Sequence, residues 1–269
     1  HENEVKGETE NEVRVEKGKK KLTKKNTTML EPVKEKRKIK NLILGGGGFK
    51  GFSYIGLIKV LEELNIRDDL EIVIGSSVGS CIAASIALGI TSQELIEKIQ
   101  GITVKAFINI KAENLLQFPT KFGIDSGEAF LNYLKYWMGL FNKDFNITLK
   151  EIYDQSNIHL ILVTTCIKQK KCCYLDHINY PDMPLLIAIR ASCSVPIIYN
   201  PVEYKDHLFI DGTITNDLPF CLVKDKLDSS IGFYFKINTH LNNLAGYMRT
   251  ILECMLHTNT FSKRKYKEN

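Results

Sequence analysis

Three observations predict an α/β fold with three layers and a mainly parallel central sheet. Short apolar, β-compatible runs alternate along the chain with stretches whose apolar residues recur at helical spacing. Two consecutive strand-loop-helix units carry glycine clusters at their strand ends, where parallel sheets gather ligand-binding loops. Finally, 269 residues, 44% of them apolar and 25% charged, suffice for one sizeable core.

The elements follow in order. Asn41 to Leu44 is a short apolar strand, and Tyr54, Leu57, Ile58, Leu61 and Leu64 place a helix over 51–64. A strand over 71–75 leads into the small-residue helix 78–88, and Thr91 with Glu94 forms a capping box that opens a helix over 92–100. A variable region comes next, in which Val104 to Gly123 (VKAFINIKAENLLQFPTKFG) scatters Phe, Leu and Ile. Core packing is the expected use of such residues, with a lipid-facing rim as the alternative. A helix over 127–139, strands over 159–166 and 171–175, a helix over 184–192, a strand over 207–210 and a C-terminal helix complete the expectation.

The glycines after the first strand point to chemistry. Clustered glycine costs backbone entropy, so it marks a close approach or a positive φ. At the entrance to a helix, that approach suits an anion or a developing oxyanion. A phosphate-clamping P-loop is excluded because Lys50 precedes Gly51 and Phe52 follows it. Gly46, Gly48 and Gly51 satisfy a dinucleotide fingerprint, but the next strand has its only acid, Glu71, at its start rather than its end. That strand ends in Gly75-Ser76-Ser77-Val78-Gly79, which fits a nucleophile elbow with Ser77 at the apex; a plain glycine-rich turn is the alternative. Later, HLFIDGTITNDLP brings Asp211 to the end of a strand, in what is either an ordinary Asp-Gly turn or the site of a base.

Taken in order, GGGFKG (Gly46, Gly47, Gly48, Phe49, Lys50, Gly51), GSSVG (Gly75 to Gly79) and DGT (Asp211, Gly212, Thr213) resemble the patatin-like phospholipase family. Its pattern is a G-G-G-x-[KR]-G loop, a G-x-S-x-G elbow and a late D-G-[GA]. Thr213 departs mildly from the last element, where Asp211 would carry the chemistry and Gly212 the turn. GIDSGEAFLNYL from Gly123, HLILVTTC from His159 and ASCSVPIIYNP from Ala191 are similar too, so that the likeness spans Lys40 to Ile231. The resemblance implies an α/β/α patatin-like fold, Ser77 as nucleophile and Asp211 as base. It also implies backbone N–H groups of Gly46, Gly47 and Gly48 as the oxyanion hole, no metal or other cofactor, and a phospholipid or other acyl lipid as substrate. Lys50 either braces the loop, adds positive potential near the oxyanion, or is a solvated lysine at the helix start. A Ser/His/Asp triad would instead need a later histidine, and His240 and His257 are available. Two classes of function stay open: a lipid acyl hydrolase, and a catalytically silent patatin-fold module that binds lipid or a partner.

Charge separates a tail from the rest. Residues 1–40 hold 13 Lys and Arg against 8 Glu, which accounts for the whole formal charge of +5. Residues 1–39 are expected to be a disordered basic tail, 40–231 the acyl hydrolase domain, and 232–269 a helical extension with a basic end. The run KGKKKLTKK suits peripheral contact with anionic lipid, or serves as a solubilising linker. The charge-neutral remainder lacks the basic face of a nucleic-acid binder. Seven cysteines without metal spacing read as reduced thiols. With no leader-like start and no apolar run long enough to span a bilayer, the expectation is an intracellular, cytoplasmic protein with peripheral membrane association.

Overall fold

The computed structural model describes residues 38–99, 103, 106–235 and 250. These belong to a compact unit that begins at Arg37. Strand β1 (Asn41–Leu44) lies between β2 (Ile72–Ser76) and β9 (Ser230–Phe233), parallel to both, and β2 runs parallel to β4 (His159–Cys166). Beyond β4 the sheet turns antiparallel, through β5 (Lys171–Leu175), β8 (His207–Asp211) and β7 (Val202–Tyr204). The sheet is therefore mixed and mainly parallel, as the alternation of elements predicts. A small parallel pair, β3 (Gly123–Asp125) with β6 (Ile197–Tyr199), stands apart.

The central strands β1, β2 and β4 are buried on both faces, and their side chains alternate between two cores. Leu42, Leu44, Val73, Leu160 and Leu162 join the large core under the helices, whereas Ile43, Ile74, Ile161 and Val163 pack with Val223 on the opposite face. The large core is covered by α1 (Tyr54–Glu63), α2 (Val78–Ala87), α3 (Ser92–Lys98), α5 (Glu128–Leu140), α6 (Leu149–Ser156) and α7 (Leu185–Ser192). Val223 belongs to a 3-10 stretch, Phe220–Ser229. The expected Thr91/Glu94 capping box is formed, and a second one, Thr148 with Glu151, opens α6.

Several expectations are corrected. The helix expected from residue 51 begins as a 3-10 turn, Gly48–Ser53, and becomes α-helical at Tyr54, because its glycine-rich start does not sustain an α-helical turn. The variable region contains a helix, α4 (Ala112–Lys121), with no buried residue, so core packing is the wrong expectation for the apolar side chains of that helix, whereas Phe107 and Ile108 ahead of it do pack against the core. Strand β9 crosses the expected domain boundary at residue 231. The expected C-terminal helix lies outside the described residues.

Candidate active site

The register of the sheet brings the serine and aspartate motifs together. On β4, Val163 pairs with Ser76 of β2, and the next residue, Thr164, pairs with Asp211 of β8. Since β5 occupies the other edge of β4 over Leu162–Cys166, β2 and β8 share one edge and meet end to end. Ser77, one residue past β2, therefore lands beside Asp211, 134 residues later in the chain by their numbering.

Ser77 sits at φ 53°, ψ −127°, a conformation that L-residues avoid. Neighbouring atoms hold it there. Its N–H donates to Ser192 Oγ (3.0 Å), while Ser192 donates to the Val163 carbonyl (2.6 Å) and lies 2.6 Å from Ser80 Oγ. A Cβ on Gly75 would come within 2.4 Å of the Gly79 carbonyl oxygen, and one on Gly79 within 2.2 Å of the Leu44 carbonyl oxygen, so the turn closes only with glycine at both places. This is the geometry of a nucleophile elbow.

Asp211 is 1% exposed. Its Oδ1 accepts hydrogen bonds from Thr213 N–H (2.9 Å) and Thr213 Oγ1 (2.7 Å). Thr213, the departure from the family pattern, thus contributes a hydroxyl that Gly or Ala cannot. The Ser77 hydroxyl interacts with the same carboxyl, although the buried Oδ2 makes no well-formed hydrogen bond among the described residues. Burial pushes the carboxyl up to about pKa 6, aided by the nearby charge of Asp217 and opposed by the donors from Ser77 and Thr213. Main-chain bonds fix the position: Asp211 N–H donates to the Ser194 carbonyl (2.9 Å), and Thr165 Oγ1 donates to the Asp211 carbonyl (2.9 Å).

The glycine loop passes directly over this pair. A Cβ on Gly46 would meet Thr213 Cγ2 at 2.4 Å and Ser77 Cβ at 3.1 Å. Gly45 N–H donates to the Phe233 carbonyl (2.8 Å), and Tyr54 Oη donates to the Gly45 carbonyl (3.0 Å). Gly46 N–H is engaged by Asp217 Oδ1 at 2.5 Å. The N–H groups of Gly47 and Gly48 come ahead of the first bond of the 3-10 turn, from Lys50 N–H to the Gly47 carbonyl (3.2 Å), so the turn supplies no acceptor for them. Gly51 lets the turn pack on Val78, while Phe49 and Lys50 are exposed, Lys50 with no ion pair among the described residues.

Of the histidines, His159 bonds Asp176 (2.9 Å) at the start of β4, His177 stacks on Tyr153, and His207 opens β8 and bonds Gln169. None of the three hydrogen-bonds Ser77 or Asp211. His240 and His257 lie outside the described residues.

Sequence reasoning missed three contributors: Ser192, the Thr213 hydroxyl and Asp217. The run ASCSVP does pack small polar residues behind a helix, and Asp217 stands six residues after Asp211, but neither is a signal without the fold. Asp217 is itself pushed up by burial, and Gly46 N–H is the donor that opposes this.

A strained serine at the end of a parallel strand, a buried aspartate beside it and a glycine loop above both thus meet at one edge of the sheet of this α/β fold. The chain belongs to the patatin-like phospholipase family, whose model matches residues 42–223. It is 30% identical over 215 residues to uncharacterized protein R571 of Acanthamoeba polyphaga mimivirus, covering 80% of this chain and 70% of that one. It is 28% identical over 202 residues to probable lipid hydrolase 463L of Invertebrate iridescent virus 6 (74% and 66%) and 23% identical over 221 residues to triacylglycerol lipase ptl3 of Schizosaccharomyces pombe (74% and 45%). The crystal structure of VipD from Legionella pneumophila shares the fold, with a TM-score of 0.57 at 16% identity, over 79% of this chain and 52% of that one. The chain thus spans about half of VipD and less than half of the yeast lipase.

Proposed function

We propose that this chain is a lipid acyl hydrolase of the phospholipase A type that cleaves fatty acyl esters through Ser77 and Asp211. The observation that carries this reading is the sheet register that sets strained Ser77 beside the buried carboxyl of Asp211, under the glycine loop; burial raises the pKa of that carboxyl to about 6. An ordinary aspartate, near pKa 3.9, is a poor base at neutral pH; one near 6 is ionised there yet basic enough to take the serine proton. The names of the viral lipid hydrolase and the yeast triacylglycerol lipase support an acyl lipid as substrate.

In the proposed reaction Asp211 takes the proton of Ser77 as Oγ attacks the ester carbonyl. The N–H groups of Gly47 and Gly48 receive the oxyanion, with Gly46 held by Asp217. Collapse breaks the ester C–O bond, and the departing alkoxide takes the proton from Asp211. Water then attacks the acyl-serine, giving its proton to Asp211, and the fatty acid leaves as Ser77 is reprotonated. No step calls for a metal or organic cofactor. The basic run KGKKKLTKK would add attraction to anionic lipid.

The test is incubation of the chain with mixed phospholipid vesicles, a triacylglycerol emulsion and a soluble short-chain ester, with products identified by mass. Fatty acid and lysolipid should appear, and Ser77→Ala and Asp211→Asn should each abolish them. Loss of turnover in His240→Ala with Asp211→Asn still active would replace the dyad by a triad. Vesicle binding by folded protein without acyl release would favour the silent module.

A further inference from the structure

Helix α4 is built to bury a face and buries none. At 100° per residue, Phe118, Leu115, Ala112, Pro119 and Leu116, with Phe122 at the C-cap, fall on one continuous arc. Asn114, Gln117, Lys121, Thr120 and Glu113 fall on the other. Helices of a globular domain turn such an arc to the core. Here Leu116 is 84% exposed, Phe122 59% and Leu115 53%, and Ile110 just ahead of the helix is exposed as well. We infer that the apolar face of α4 is a docking surface for an anionic lipid membrane, which seats the molecule on the surface that holds its substrate. This inference rests on the acyl-lipid reading above.

Two observations choose the occupant. The first is charge. Lys111 and Lys121 stand at the two ends of the helix, with Glu113 the only acid on it, and exposed Lys50 lies in the glycine loop. Cations at both ends of an amphipathic helix suit a helix lying in the headgroup boundary of an anionic bilayer. A second copy of the chain, docked face to face by a twofold axis with the helices antiparallel, would set Lys111 against Lys121 of its partner, which is unfavourable. The second is position. Phe107, just upstream, packs on exposed Phe49 of the glycine loop with ring centroids 5.5 Å apart, and its carbonyl accepts the Tyr199 hydroxyl (2.8 Å). Downstream, α4 runs into β3, which pairs with β6, and β6 follows Ser194, whose carbonyl holds Asp211 N–H. Both ends of the helix are thus tied to segments that flank the site.

The experiment uses the full chain and vesicles of phosphatidylcholine with phosphatidylglycerol, in low salt and in about 0.5 M salt, where attraction by the basic tail is screened. Leu116→Trp should shift its emission to the blue on binding, relative to the Trp137 background. Leu115→Glu with Leu116→Glu should lower vesicle partitioning in high salt at least about tenfold, since each leucine loses its apolar transfer. Turnover of a soluble short-chain ester by the double variant should match the starting protein. Unchanged partitioning of the double variant in high salt, or a Leu116→Trp emission that does not move on bound vesicles, overturns the inference. So does a dimer in solution that the double variant turns into a monomer, because the face would then belong to a second copy. Vesicle binding that depends on α4 in a protein releasing no fatty acid would keep the docking surface and refute the hydrolase. Soluble-ester turnover together with binding indifferent to α4 would do the reverse.

Discussion

The carboxyl edge of the sheet and helix α4 obey opposite rules. Around Ser77 and Asp211 the chain is buried, glycines admit only backbone, and Ser192, Thr213, Ser194 and Asp217 each hold a named atom. Along α4 no residue is buried and the apolar arc faces outward. A pair that reacts as proposed has to be held within a fraction of an ångström, which takes burial and directed hydrogen bonds. A surface that meets a fluid partner needs area and charge, and gains nothing from fixed geometry. The first region should therefore be intolerant of single-atom changes, and the second should tolerate large ones until a lipid surface is present.

The largest effect expected is on turnover. Ser77→Ala and Asp211→Asn should each lower kcat for a soluble ester about a thousandfold or more and to a similar extent, because members of one catalytic unit are not additive. In the unmodified chain kcat/KM should rise with pH through about 6 as Asp211 loses its proton. Chelators should leave hydrolysis of micelles unchanged.

Next come the folding energies. Leu162, fully buried in β4, and Leu116 are the same residue in the two regions. Leu162→Ala should cost about 2–5 kcal/mol in denaturant melts. Leu116→Ala should stay within about 0.5 kcal/mol. A large loss from Leu116→Ala would mean that α4 is packed after all.

Asp211→Asn should stabilise the fold at pH 7. The folded carboxyl holds its proton up to about pH 6 and the unfolded one only to about 3.8, so stability falls as pH rises between these values and the deficit persists above them. The shift corresponds to about 3 kcal/mol at most. Asn, never charged, avoids that cost, and its advantage should vanish near pH 4. A variant no more stable than the starting protein at pH 7 would count against the raised pKa.

The smallest effect concerns Asp217. Asp217→Asn keeps an acceptor for Gly46 N–H and removes a charge that raises the pKa of Asp211. The acid limb of the pH profile should move to lower pH, with kcat on the plateau within a fewfold. Asp217→Leu, which loses the acceptor, should lower kcat about tenfold with little change in KM. Equal behaviour of the two variants would remove Asp217 from the positioning of the loop.

The sequence by itself determined what local chemistry controls. The strands at 41–44, 159–166 and 171–175 follow from apolar and β-branched runs, the Thr91/Glu94 cap from side chains three residues apart, and the candidate site from glycine patterns that only close backbone approaches require. What lies in long-range pairing was not legible. The meeting of Ser77 with Asp211 depends on β2 and β8 sharing one edge of β4, and that register is set by how the whole sheet packs. Ser192 and Asp217 look like ordinary polar residues until the fold sets them against Ser77 N–H and Gly46 N–H. The scattered Phe, Leu and Ile of 104–123 do not by themselves announce helix α4 or the face they share on it. Periodicity tells which residues share a face, whereas only the tertiary arrangement decides whether another part of the chain is there to cover it.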